Sequence, residues 1–370
     1  QGMIRLREFT QAEAEIFVHP AEKKHPRFYR YARYEMPLLG VPQQMEGEDP
    51  IQVTMQDAVE RGIVANEYVA YYLALTHDLL VSIGVAPDRL RFRQHLPDER
   101  AHYAEDCWDA EVYSARFGWV ETVGIADRTD YDLRAHEGQS GERFSVFLPY
   151  EIPRRINRVR VVPNMGALGP RFRGSAKAVA DALCACIPGP LGVTLTIDGA
   201  EVLITPDLYE VREEVVEVPG EEVTPHVIEP SYGIDRMIYA VLEHSYHEEI
   251  VDDEERRVLR LPPAVAPIQV AVFPLMNRDG LPEIAGEITD ALKCRGILAE
   301  YDDSGAIGRR YRRQDEVGTP FAITVDYDTK EDRTVTLRDR DSMRQVRTEI
   351  GGIPDLIRSL IDGTSSFVEL

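Results

Sequence analysis

Val227-Ile-Glu-Pro-Ser-Tyr-Gly-Ile-Asp-Arg236 decides how this chain reads. Val227 and Ile228 open an apolar strand, and Pro230 and Gly233 break it. Ile234, Met237, Ile238, Val241 and Leu242 then recur at the spacing of a helix that buries one face. Arg236 therefore sits in the first helical turn. A helix start gathers unpaired backbone N–H groups and the positive end of the helix dipole, which suits an anion such as a phosphate. An ordinary strand–turn–helix with a surface arginine fits these residues equally well, so the rest of the chain must separate the two.

At 370 residues the chain has room for two or three domains, each with its own core. No apolar run approaches the roughly 18 to 20 residues that span a bilayer, and no signal-peptide pattern opens the chain. Cys107, Cys184, Cys186 and Cys294 form neither a metal-ligand spacing nor a secreted disulfide framework, so a reducing cytoplasm is the expected setting. The net charge of -22 argues against a broad basic surface for DNA or any other nucleic acid. A polyanion partner has to meet local patches. Because Gln1 leads directly into strand-like residues, a preceding segment is expected.

Residues 3 to 9 alternate apolar and charged side chains, as a strand does. Thr10-Gln-Ala-Glu13 has capping-box spacing and predicts a short helix. Pro20 to Pro50 reads as irregular surface structure. Asn66 to Ile83 carries Val69, Tyr72, Leu73, Thr76, Leu79, Leu80 and Ile83 on one helical stripe that should pack on a sheet. Arg91 to Glu111 is dense in His, Asp, Glu and Arg without a zinc-type spacing and predicts a polar structural segment. In the strand Gly118 to Gly124, Glu121 shares a face with Trp119, and a carboxylate there must be hydrated or partnered.

Residues 135 to 222 change character, with arginines 154, 155, 158 and 160 beside Gly/Pro loops, and read as an inserted subdomain. Ser175 to Cys186 predicts a helix and Gly192 to Ile204 a hairpin. Glu248 to Glu255 reads as an acidic connector, and Pro262-Pro263 with Pro267 marks a domain boundary. Beyond it, alternating strands and helices predict a small α/β domain. Its Gly308-Arg-Arg-Tyr-Arg-Arg313 reads as a basic loop, suited to RNA phosphates and to stacking through Arg309, Arg310, Arg312 and Arg313.

Several separated stretches together resemble glycyl-tRNA synthetase of the archaeal and eukaryotic kind. They are Arg5-Leu-Arg-Glu-Phe-Thr-Gln-Ala-Glu13, Arg91-Phe-Arg-Gln-His95, Cys107-Trp-Asp-Ala-Glu111, Gly118-Trp-Val-Glu121, Ile228 to Arg236, and Thr336-Leu-Arg-Asp-Arg-Asp-Ser-Met-Arg344. The resemblance implies an α+β fold of class II: an antiparallel active-site sheet flanked by helices over 1–262, interrupted by the insertion, then an α/β anticodon-binding domain over 263–370. Residues 5 to 13 look like the second strand of motif 2 and residues 229 to 236 like motif 3. Motif 1 and the first strand of motif 2, with its phosphate-gripping arginine, are not among these residues. The chain taken alone is therefore expected to activate little glycine.

Carried over by position, the resemblance implies that Phe9 stacks under adenine and that Arg236 covers its other side and reaches the phosphates. Arg5, Leu6, Glu121 and Thr122 would complete the ATP site. Glu13, Glu229, Pro230 and Ser231 would hold glycine, Glu229 and Arg236 being the residues of the reaction itself. An ammonium offers three donors, so convergent carboxylates and a hydroxyl satisfy it. The bland reading of Glu229 is a buried carboxylate paired with an internal arginine. The implied reaction joins glycine to tRNA(Gly) through glycyl-adenylate, with ATP and Mg²⁺ but no protein metal ligand set, in a homodimer. A non-catalytic synthetase relative, or a prolyl, threonyl or histidyl enzyme, are the alternatives.

Overall fold

In the computed structural model the described residues are 4, 7–99, 104–186, 188–189, 191–197, 200–251 and 253–370. Arg5 and Leu6 lie outside them. The chain forms two compact units, residues 1–135 with 226–370 and residues 136–225.

The first unit lays down β1 (Gln11–Glu13), β2 (Ile16–Val18), β3 (Glu35–Leu39), β4 (Ile51–Thr54), β5 (Leu90–Gln94), β6 (Asp106–Ser114) and β7 (Gly118–Thr129). In the inserted unit, β8 (Val146–Pro163) pairs with β11 (Tyr209–Val223) in a long antiparallel ribbon, and β9 (Val193–Ile197) pairs with β10 (Ala200–Ile204). The chain returns through β12 (His226–Gly233), and the large sheet runs β1-β12-β7-β6-β5-β3-β4, with β2 also on β12. Its pairings are antiparallel except β3 with β5.

Helix α1 (Glu67–Ser82) covers this sheet. Asn66 caps it by accepting from the backbone N–H groups of Tyr68 and Val69. Val69, Leu73, Thr76 and Leu80 are buried, as their stripe predicts, although Leu79 is exposed. Helix α2 (Tyr131–Ser140) spans the boundary with the insertion, and α3 (Ile234–Ser245) follows β12.

Four local expectations fail. Residues 11–13 are a strand, because pairing along β12 satisfies their backbone better than an isolated helical turn, and Glu13 faces Ser231 across the ladder. Of residues 3 to 9, those described show no ladder pairing. The stretch from Pro20 to Pro50 contributes β3, whose Met36 and Leu38 are fully buried. Finally, Glu248 to Glu255 lies within a hairpin of β13 (Tyr246–Val251) and β14 (Glu254–Leu259), where Glu248 opposes Arg257 and Glu249 opposes Arg256. Cross-strand charge pairing, invisible in a run of acidic residues, makes this connector a ribbon.

The C-terminal part holds β15 (Val270–Pro274), β16 (Ala299–Tyr301), β17 (Phe321–Val325), β18 (Thr334–Asp339) and β19 (Gln345–Glu349) in the order β16-β15-β17-β18-β19, a mixed sheet. Helices α4 (Leu281–Cys294), α5 (Ile307–Val317) and α6 (Ile353–Ile361) accompany it. A buried polar joint ties it to β14. Arg256 donates from Nε to Asp315 Oδ2 at 2.9 Å and from Nη2 to the Arg340 carbonyl at 2.6 Å, and Arg338 donates to Asp315 Oδ1 at 3.0 Å.

Candidate active site

Strand β12 and the turn after it build the site. The Pro230 carbonyl accepts from Ala14 N at 3.1 Å, so the missing proline N–H faces the gap between β2 and β1, where a strand loses nothing by it. Gly233 is needed at the bend because a side chain there would meet the Thr122 carbonyl at 3.2 Å. Thr10 clamps the turn from outside: its N–H donates to Asp235 Oδ2 at 2.6 Å, and its carbonyl accepts from Ile234 N at 3.0 Å.

A cleft of about 460 Å³ opens over this turn, lined among others by Phe9, Gln11, Glu121, Thr122, Ser231 and Arg236. Arg236 leaves the first turn of α3 and donates from Nη1 to the Glu121 carbonyl at 2.7 Å, with the Glu121 carboxylate 3.7 Å away. Phe9 is 63% exposed, a large apolar ring with an open face. Burial holds the Glu121 carboxyl above its ordinary range, Asp109 pushing the same way and Arg236 opposing. Thr122 is buried, its hydroxyl donating to the Ala110 carbonyl at 2.9 Å.

The ladder puts the second group beside the first. Glu13 lies opposite Ser231, and Glu229 is two residues further along β12 on the same face. Glu13, Glu15 and Glu229 each bring a carboxylate oxygen within 4.8 Å of the others. Gln11 donates its amide to the Ser231 hydroxyl and, at 3.2 Å, to Glu13 Oε2. The internal arginine foreseen as Glu229's bland partner exists: Arg128 donates from Nη1 to Glu229 Oε2 at 2.8 Å. Burial still holds the Glu229 carboxyl above its ordinary range, Arg128 pulling it down and Glu13 pushing it up. Three carboxylates against the one guanidinium that reaches them, among the described residues, leave a cation-seeking spot beside an arginine-headed, anion-seeking one.

Sequence reasoning did not single out Gln11, Glu15, Arg128 or Asp235. Their signal is pairing register, which a sequence without partners does not display. The basic stretch Gly308 to Arg313 needs correction: it is part of helix α5, not a loop. Arg310 is buried and donates to the carbonyls of Pro274, Asp303 and Gly305, and Arg313 pairs with Asp302. Tyr311 stands edge-on to Phe273 under the Arg338 guanidinium. Arg309 and Arg313 are exposed, while Arg312 is half-buried with a guanidinium nitrogen 3.9 Å from Glu254.

Residues 269–360 match the family model described as an anticodon binding domain. The chain is 54% identical to the glycine--tRNA ligase of Methanothrix thermoacetophila, over 100% of this chain and 64% of that protein. It is 50% identical to that of Archaeoglobus fulgidus, with the same coverage. A solved prolyl-tRNA synthetase from Cryptosporidium parvum is 16% identical, covering 98% of this chain and 52% of that one at a TM-score of 0.49. A largely antiparallel sheet with a strand–turn–helix at the site, followed by a domain of the anticodon-binding type, is the arrangement that the resemblance to class II aminoacyl-tRNA synthetases leads one to expect. The curated relatives that it matches along all or nearly all of its length are archaeal glycine--tRNA ligases, at 43% to 54% identity. It spans about 64% of the length of the relatives it matches.

Proposed function

We propose that the protein carrying this chain attaches glycine to tRNA(Gly) at the expense of ATP, through glycyl-adenylate. The observation that supports this most is the adjacency of two opposite preferences across one bend: carboxylates at 13 and 229 with Ser231 before it, and Arg236 after it. Glu13, Glu229 and Ser231 take the glycine ammonium, with Pro230 shaping the strand between them. A planar, permanently charged guanidinium at 236 can cover adenine opposite Phe9 and reach phosphate. Glu121 and Thr122 line the nucleotide, and the resemblance assigns Arg5 and Leu6 to the same site. In the adenylation step a glycine carboxylate oxygen attacks the α-phosphorus and pyrophosphate leaves, so positioning and charge neutralisation dominate, and no protein nucleophile is required.

Mg²⁺ is expected to enter with ATP, and no residue of this chain is assigned as its ligand. The ion supplies charge neutralisation on the phosphates. Arg309, Arg312 and Arg313 are the candidates for tRNA contact, while buried Arg310 supports the helix that carries them. A homodimer and a cytoplasmic location complete the reading; no described helix is long and apolar enough to cross a membrane. Glycine-dependent ATP–pyrophosphate exchange by the natural protein tests it. Exchange that follows proline, threonine or histidine instead would overturn it.

A further inference from the structure

The ladder of the large sheet brings together three metal-ligating side chains that the linear sequence keeps apart. His95 follows β5 and lies beside Cys107 of β6, donating its N–H to the Cys107 carbonyl at 2.9 Å. Asp109 is two residues along β6 on the same face, with Oδ2 2.8 Å from His95 Nε2. A ring nitrogen of His95, the Cys107 sulfur and an Asp109 oxygen all lie within 4.8 Å of one another. The second ring nitrogen, Nδ1, is buried and has no hydrogen-bond partner among the described residues. Cys107 is a free thiol. Arg93 stands opposite Asp109 in the ladder, yet its guanidinium turns to Glu99 at 2.5 Å, so the cross-strand cation does not neutralise this carboxylate.

We propose that His95, Cys107 and Asp109 form a binding site for one borderline divalent cation of the Zn²⁺ class, with a fourth coordination position open on the sheet face that carries Glu229 and Ser231. The donor set decides the class of ion. Imidazole nitrogen and thiolate select zinc-like ions, whereas Mg²⁺ and Ca²⁺ take oxygen ligands. A thiolate and a carboxylate bring two negative charges to a dication, and the imidazole joins as a neutral ligand. Bonds of about 2.0 to 2.3 Å hold donors roughly 3.2 to 3.8 Å apart around a tetrahedral ion, a tightening within reach of side-chain rotation. In the metal-free chain the His95–Asp109 hydrogen bond holds the pair in place. The open position follows from the neighbouring strand. Ala126 lies opposite Cys107 and Gly124 opposite Asp109, and Glu229 and Ser231 pair with these two small residues from the far side. A methyl group added at Gly124 would touch only Glu121 Oε1, at 3.8 Å. Three protein ligands with an open fourth position make an exchangeable centre, not a closed structural one.

Cobalt reports such a site directly, because a thiolate on Co²⁺ gives a near-ultraviolet charge-transfer band and four-coordinate Co²⁺ gives visible bands. The chain, stripped of metal with EDTA under reducing conditions, should take up one equivalent of Co²⁺ with both signatures, and Zn²⁺ but not Mg²⁺ should bleach them. Cys184→Ser, Cys186→Ser and Cys294→Ser combined leave Cys107 as the sole thiol and should keep the spectrum. Cys107→Ser should abolish the charge-transfer band. His95→Gln or Asp109→Asn should weaken Co²⁺ binding about tenfold or more, the least that altering even an outer-shell partner costs. A charge-transfer band that survives Cys107→Ser overturns the proposal, as does its absence from the folded triple-serine variant. Co²⁺ uptake without that band also overturns it, by placing the ion on carboxylates such as Glu13, Glu15 and Glu229. None of these readouts depends on glycine activation.

Discussion

Two arginine–carboxylate clusters in this molecule look alike in composition and differ in saturation. At the joint between β14 and the C-terminal sheet, Asp315 is 1% exposed and accepts from Arg256 and from both terminal nitrogens of Arg338. The remaining donors of Arg256 go to Glu249 and to the Arg340 carbonyl. Both Asp315 oxygens and all three Arg256 guanidinium nitrogens have partners there. Around Glu229, three carboxylates converge on a single guanidinium at a partly open site. Matched polar groups in the interior hold structure, whereas unmatched acceptors at a cleft cost stability unless a substrate completes them.

The comparison breaks most easily at the joint. Asp315→Ala strands two buried guanidinium groups and should cost about 3–5 kcal/mol in urea unfolding, as breaking a buried pair from one side does. A loss below about 1 kcal/mol would mean the joint is not a matched network. Arg310→Met, which orphans three carbonyls in the same body, should cost about 1–3 kcal/mol. The open cluster should respond the other way. Glu229→Gln removes like-charge repulsion and should change stability by less than about 1 kcal/mol, while lowering glycine-dependent exchange by roughly a hundredfold or more.

A pH experiment on the metal-free chain probes a third pair on the large sheet. The hydrogen bond to Asp109, with Cys107 nearby, lifts the His95 imidazolium from 6.5 to about 10. Its folded value is raised, so its stabilisation is complete below pH 6.5 and is lost as pH climbs toward 10, with a slope of at most about 1.4 kcal/mol per pH unit. The decline should vanish in Asp109→Asn. The smallest effect is expected at Arg309 and Arg312, where alanine should leave stability within about 0.5 kcal/mol and weaken tRNA binding.

Period and punctuation exposed much of this architecture in the sequence. The apolar stripe after Gly233 gave helix α3 and the place of Arg236, and the strand–helix alternation after Pro267 gave the mixed C-terminal sheet. Glu13, Glu229 and Ser231 are grouped by resemblance and not by spacing, since β1 and β12 lie far apart along the chain and only their ladder sets Glu13 opposite Ser231. What stayed hidden depends on who stands opposite whom. Thr10 to Glu13 has the chemistry of a helix cap, and only the free edge of β12 makes it a strand. The arginines of 309–313 look alike as letters, but the helical turn sends Arg310 inward and Arg309 outward. Arg128 became visible only through its bond to Glu229.

Helix α3 and the hairpin after it have a mechanical consequence. The helix runs 12 residues, about 18 Å, and Tyr246 begins β13 directly at its end. One end of this rod presents Arg236 to the cleft; the other is pinned through Arg256 to Asp315 of the C-terminal body. Leu259 and Leu261 crowd the α-carbon of Gly318, so the pin has little slack. On the proposed reading, this rod and its pin would join a C-terminal body that takes tRNA to the arginine that takes ATP.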